Sequence, residues 1–341
     1  MQQLVFRKKN TLEWIETSKK QITSKNSAIV TPLAIARCDL DLPIVRGETL
    51  FRPPFSIGHE FVGKIIEISE DQKDRFKIGD FVAVAFQISC GHCPSCMSQY
   101  SNSCETVPYT SAYGMPPGST SFGGAVSDEI LVPFADQMMV KLPEAIRPVD
   151  IASFSDNIAE VWKLAGQFLN RKTDPKVLVV GGLARSISIY TALFLTQTKQ
   201  AEVNFVDTNK ESVEMTERFG IQSELLASFP KPSKKYDIVI DCSATKEGWN
   251  YASRSLGKNA ILSSASIFWT NALEIPYLEM YNQGAEIHVS RVSSKESMVS
   301  VLPYILSGEF TPGKVVTKIA KFEDAKEAWL EESTKLVVVK E

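Results

Sequence analysis

Histidine is scarce in this chain, with three among 341 residues. Any imidazole chemistry must therefore fall to His59, His92 or His288. No apolar run reaches the length of a membrane span, so a membrane partner is not expected. The opening M-Q-Q-L-V-F-R-K-K-N lacks the apolar core and cleavage site of a secretory signal. Neither charge is in large excess. The 37 Lys and Arg face 40 Asp and Glu, a formal net charge of −3. That balance gives no reason to expect nucleic acid or an anionic surface as partner. The expectation left by these absences is a soluble, cytoplasmic enzyme acting on a small molecule. Its length allows two domains with real cores.

Cysteine, by contrast, is concentrated. Cys90, Cys93, Cys96 and Cys104, four of the six, lie in the stretch 89–105 as C-x2-C-x2-C-x7-C. Four thiolates make a closed tetrahedral shell for Zn²⁺, with no open position. Gly91 and Pro94 suit the tight turns between them. Two disulfides are the alternative, but nothing else in the chain suggests an oxidising compartment. An iron–sulfur cluster is the chemical competitor. Its bacterial motif has a shorter last spacer followed by Pro, where this chain has Glu105.

This lobe resembles the one found in zinc-containing medium-chain dehydrogenases of the alcohol, sorbitol and threonine dehydrogenase type. The resemblance runs over nearly the whole chain. It implies an α/β protein with a GroES-like β-rich catalytic domain, residues 1–155 and 291–341, and a Rossmann cofactor domain, residues 156–290.

The first part reads as short strands, 3–7, 11–16 and 27–37, bounded by charged or turn residues. The stretch after 37 contains Cys38, Leu40 and Asp41, and G-H-E follows at 58–60. The resemblance makes Cys38 and His59 ligands of a second, catalytic zinc, which keeps three protein ligands and an open place. It also gives Asp41 and Glu60 supporting roles. A ligating His donates its other N–H to a carboxylate or carbonyl, and the family's Glu can sit beside the metal. One departure is Leu40, where the family usually has a Ser or Thr that relays a proton. K-I-G-D-F-V at 77–82 and G-G-A-V-S-D-E-I-L-V-P at 123–133 resemble further family segments.

Asp156 precedes an amphipathic helix whose apolar positions 158, 161, 162, 165, 168 and 169 share one face. Read alone, Asp156 and Asn157 suit a helix start, with Glu160 three residues after Asn157. The resemblance makes Asp156 the third zinc ligand and puts Glu160 near the nicotinamide.

Residues 176–180, K-V-L-V-V, form a continuous apolar strand of the kind buried in parallel sheets. Gly181, Gly182, Leu183, Ala184, Arg185 and Ser186 follow, then a helix, then a strand at 202–206 ending in Asp207. This is the β-turn-α-β layout that binds the adenosine half of NAD. The glycine signature is incomplete, with Leu183 and Ser186 where glycine is usual. Helix amides and Arg185 suit a pyrophosphate. Asp207 suits ribose hydroxyls and repels a 2′-phosphate, so NAD is expected, with NADP as the alternative. Further strands at 237–242, 260–267 and 286–289 continue a doubly wound sheet. A strand at 315–319, a helix at 322–332 and a last strand at 335–339 close the chain. The resemblance gives Lys335 a contact with the cofactor pyrophosphate.

The expected activity is therefore hydride transfer between an alcohol and NAD, with two zincs per chain and a homodimer or homotetramer as the assembly. An NADP-linked carbonyl reductase is the rival enzyme. A catalytically silent nucleotide-binding relative is the rival of another class.

Overall fold

The structure is a computed structural model that describes residues 1–22 and 24–340. It divides into two compact units. One comprises Met1–Ala159, Val292–Ser300 and Val316–Glu341, and the other Glu160–Arg291 and Val301–Val315.

The first unit is built on antiparallel pairing. Strands β1 (Gln2–Lys8), β2 (Thr11–Glu16) and β4 (Phe55–Ser56) form a small sheet in the order β2-β1-β4. A larger sheet joins β3 (Ala28–Ala36), β5 (Glu60–Ile68), β6 (Phe81–Val84), β7 (Ile130–Val132) and β8 (Met139–Lys141). Strand β3 is the hub, pairing with β5, β7 and a C-terminal strand. It is buried along most of its length, which explains its run of Ala, Ile and Val. Pro32 offers no N–H, and the β3–β5 register shifts between Pro32 and Ala34.

The second unit is a six-stranded parallel sheet. Its order is β11-β10-β9-β12-β13-β14, with β9 (Lys176–Val180), β10 (Glu202–Asp207), β11 (Gln222–Leu225), β12 (Tyr236–Asp241), β13 (Leu256–Ser264) and β14 (Glu286–Val289). The order reverses between β9 and β12, which is the doubly wound arrangement. Val177, Leu178, Val179 and Val180 are fully buried, as a central strand covered on both faces requires.

Three expectations are corrected. The strand expected at 315–319 is a 3-10 turn at Pro312–Val315 followed by β15 (Lys318–Lys321). Parallel pairing of Lys318 with Leu336 in β16 (Leu336–Val339) sets that boundary. The helix expected at 322–332 is a 3-10 turn, Phe322–Asp324, and one helical turn, Ala325–Ala328. The first unit extends past 155 to Ala159, because Asp156 and Asn157 are bonded to His59, Glu60 and Cys38. Among the described residues, no helix is long and apolar enough to cross a membrane.

Candidate metal centres and nucleotide edge

Strand register assembles the first site. Ala36 of β3 lies opposite Glu60 of β5, so the chain leaving β3 and the chain entering β5 bring Cys38 beside His59. Val337 of β16 lies opposite Ala36 on the other side of β3, which carries Lys335 toward Cys38 as well. Gly58 holds the approach to His59. Its φ is +85°, and a Cβ there would meet Val126 Cγ2 at 2.8 Å, so only glycine fits.

Cys38, His59 and Asp156 are buried, and one ligand atom from each lies within 4.8 Å of the others. His59 Nε2 is 3.2 Å from Asp156 Oδ2, and Asn157 Nδ2 donates to Cys38 Sγ at 3.3 Å. On the other ring nitrogen, His59 Nδ1 faces Asp41 Oδ1 at 3.6 Å. Asp41 is fixed in turn by the Cys38 backbone N–H, 2.8 Å from its Oδ2. The ring also packs on Phe86, with centroids 5.4 Å apart.

The charges describe a site built for a cation. Burial, then the Asp156 and Glu60 carboxylates, push the Cys38 thiol well above its ordinary range. Burial works to lower the His59 pKa, but Asp41 and Asp156 outweigh it and raise the imidazole to about 9. Burial also raises Asp41, while Asp156, despite burial, is held low by its His59 hydrogen bond. A sulfur, an imidazole and a carboxylate at mutual contact are a tetrahedral zinc donor set with one place to spare. The residues fit the metal.

Glu60 lies deeper, with both oxygens engaged. Oε1 accepts the Asn157 backbone N–H at 2.7 Å, capping the helix Asn157–Leu164. Oε2 accepts from Lys335 Nζ at 2.8 Å and faces Ser153 Oγ at 3.3 Å. Burial raises Glu60 to about 7 against the pull of Lys335. Lys335 is fully buried and also donates to Arg37 O and Asn157 Oδ1. An ammonium has three N–H groups, and here three acceptors take them. The structure thus places Lys335 against Glu60. Asn157, expected to serve the helix start, uses its side chain on Cys38 and Lys335 instead. Sequence reasoning missed this role for Asn157 and the part of Ser153. The one available signal was the polar pair Asp156-Asn157 ahead of an apolar helix face.

The four thiols of the second cluster also converge, all buried and within 4.8 Å of one another. Amides point at them: Cys90 N to Cys104 Sγ at 3.4 Å, Cys93 N to Cys90 Sγ at 3.3 Å, and Glu105 N to Cys93 Sγ at 3.4 Å. Thr106 Oγ1 donates to Cys90 Sγ at 3.0 Å. Such donors stabilise thiolates. Burial works to raise the Cys93 thiol, but the Glu105 and Cys96 amides outweigh it and lower Cys93 to about 6. All six cysteines are free thiols.

In the second unit, Gly181 begins the turn after β9. A Cβ there would meet Asp207 Oδ2 at 2.4 Å, so glycine lets the turn press on the tip of β10. Asp207 is buried. Oδ1 accepts from Asn209 N at 2.9 Å, while Oδ2 has no hydrogen-bond partner among the described residues. A buried, unanswered acceptor suits a hydroxyl-bearing ligand. Leu183 N and Ala184 N are held by Ser243 O and Cys242 O, each at 3.1 Å. Leu183 is exposed, and Ser186, standing where the third glycine is usual, is fully buried. Arg185 lies 3.6 Å from Glu211. His288, on β14, packs on Phe168 and faces Glu286, and His92 faces Cys90 O; neither joins the Cys38 cluster.

A dinucleotide-type parallel sheet, a thiolate quartet and a Cys-His-Asp triplet give a two-unit protein with a nucleotide-type fold and two candidate metal sites. Residues 24–144 match the alcohol dehydrogenase GroES-like domain. The chain is 24% identical over 310 residues to a probable zinc-binding alcohol dehydrogenase of Mycobacterium tuberculosis, covering 88% of this chain and 77% of that one. It is 38% identical over 109 residues to the glutathione-independent formaldehyde dehydrogenase of Pseudomonas aeruginosa, covering 31% of this chain and 27% of that one. The alcohol dehydrogenase of Thermus sp. ATN1 shares the fold over the full length of both chains, with a TM-score of 0.90 and 21% identity. The likeness therefore shows a GroES-like domain of the alcohol dehydrogenase type in residues 24–144 and the alcohol dehydrogenase fold over the whole chain.

Proposed function

We propose that this protein is a zinc-dependent oxidoreductase that moves a hydride between an alcohol and NAD. The observation that carries this reading is the buried Cys38, His59 and Asp156 triplet. Zinc held there supplies a Lewis acid for the substrate oxygen, and the nicotinamide supplies the hydride acceptor.

The chain's own residues do the rest. Asp41 orients His59, and Asn157 directs an N–H at Cys38 Sγ. Glu60, gripped by Lys335 and Asn157, anchors the helix start that carries Asp156. Leu40 has no proton to give or take, so any relay runs through water or a carboxylate. NAD is favoured over NADP because a buried Asp207 carboxylate repels a 2′-phosphate.

A second copy of the chain suits β14. It is an edge strand of the six-stranded sheet, with Ile287 and Val289 exposed, and an open edge invites pairing. Cytoplasmic residence suits six free thiols.

Zinc content with an alcohol screen tests this reading. About two zincs per chain, falling to about one in Cys38→Ala and in Asp156→Ala, with NAD-linked oxidation lost in both, is the expected result. One zinc per chain, unchanged by either substitution, would overturn it.

A further inference from the structure

The crossover from β11 to β12 has an unusual form. A parallel crossover is usually a helix, but residues 226–235, L-A-S-F-P-K-P-S-K-K, form none. Pro230 and Pro232 account for this, since each removes a backbone N–H and clashes with a preceding turn. A loop lies where a helix would cover the sheet, and a cavity of about 280 Å³ lies between loop and strands.

The cavity is polar at its floor. Asn204, in the middle of β10, is only 9% exposed and lines it with a carboxamide. Strand alternation turns Asn204 to the face opposite Asp207, so it does not belong to the nucleotide edge. Tyr236, 8% exposed, and Tyr251 also line the cavity. Phe229 on the loop holds Tyr251, with ring centroids 5.6 Å apart. Leu226 adds an apolar wall. Lys231 and Lys234 line the cavity from the loop against a single acid, Glu224, so its lining is net positive.

We propose that this cavity binds a small single-ring aromatic acid. The two tyrosines and Leu226 take the ring. The Asn204 carboxamide pairs with a polar ring substituent, and the loop lysines take the carboxylate. The walls favour a flat ring over a sugar, and the lysines favour an anion over a neutral amide.

The test is calorimetric titration of the full-length, zinc-loaded protein with 4-hydroxybenzoate, with and without saturating NAD. The expected result is one site per chain with a Kd below about 1 mM, unaffected by NAD. The neutral 4-hydroxybenzamide should bind about tenfold more weakly. Asn204→Leu and the double variant Lys231→Ala/Lys234→Ala should each weaken binding about tenfold. Dehydrogenase turnover should persist in both variants, because neither touches the Cys38 cluster or the Gly181 turn. Absence of binding at about 10 mM would overturn the proposal. So would binding that both variants retain, or binding that NAD abolishes.

Discussion

Lys335 Nζ and Glu60 Oε2 lie 2.8 Å apart with both side chains fully buried. Glu60 opens β5 and Lys335 immediately precedes β16, on either side of β3, and their pairing ties the last strand to the helix that follows Asp156. Removing one partner of such a pair leaves an uncompensated buried charge. Lys335→Met should therefore destabilise the fold by about 3–5 kcal/mol, measured by urea unfolding. The Lys335→Met/Glu60→Gln double variant should recover part of that loss.

Zinc affinity at the Cys38 site should depend steeply on pH. In the metal-free protein the His59 pKa is raised to about 9, and the Cys38 thiol is pushed up as well. Zinc must displace those protons. Affinity should rise with pH below about 9, by about tenfold per unit for each proton released. Competition with a chromophoric chelator at several pH values measures the slope. The stability linkage has the opposite sign. A raised His59 pKa contributes stability present below its ordinary pKa near 6.5 and lost as pH rises through about 9, so the chelated protein should weaken over that window.

Cys104→Ala should cost about one zinc per chain while leaving the metal at Cys38, since the two donor sets share no residue. The loss should destabilise the first unit by about 2 kcal/mol or more. Thr106→Val removes only a donor to Cys90 Sγ and should weaken zinc retention about tenfold without abolishing it. Metal analysis after timed chelation distinguishes the two.

Gly181→Ala should raise KM for NAD and leave zinc content unchanged, because the new methyl would meet Asp207 Oδ2 at 2.4 Å. Asp207→Ser should narrow the preference for NAD over NADP by about tenfold or more, by removing the repulsion of a 2′-phosphate. Steady-state kinetics with both cofactors reads the ratio.

Much of the site was legible because its chemistry is local or nearly so. The C-x2-C-x2-C-x7-C spacing brings four sulfurs together with little help from the rest of the chain. Cys38 and His59 were legible through the resemblance, and β3–β5 pairing juxtaposes them. Asp156 suits a cap when read alone and became a ligand candidate only through the resemblance; the fold sets it 3.2 Å from His59. The C-terminal elements were misjudged because β15 owes its limits to a partner strand rather than to its own pattern.

The sequence by itself determined the alternation of strand and helix from 176 onward, the thiolate lobe, and an acid at the tip of β10. Each is written in a short window, where covalent spacing and apolar periodicity suffice. Tertiary structure alone decided which of the many polar residues meet. Lys335 was expected at the cofactor pyrophosphate and Asn157 at a helix start, and nothing in its own window marks Asn204. Register across β3 buries the first two around Glu60, and a crossover that Pro230 and Pro232 keep from becoming a helix leaves the third facing a cavity. Burial of a polar group depends on residues far away in the chain, and no local pattern encodes it.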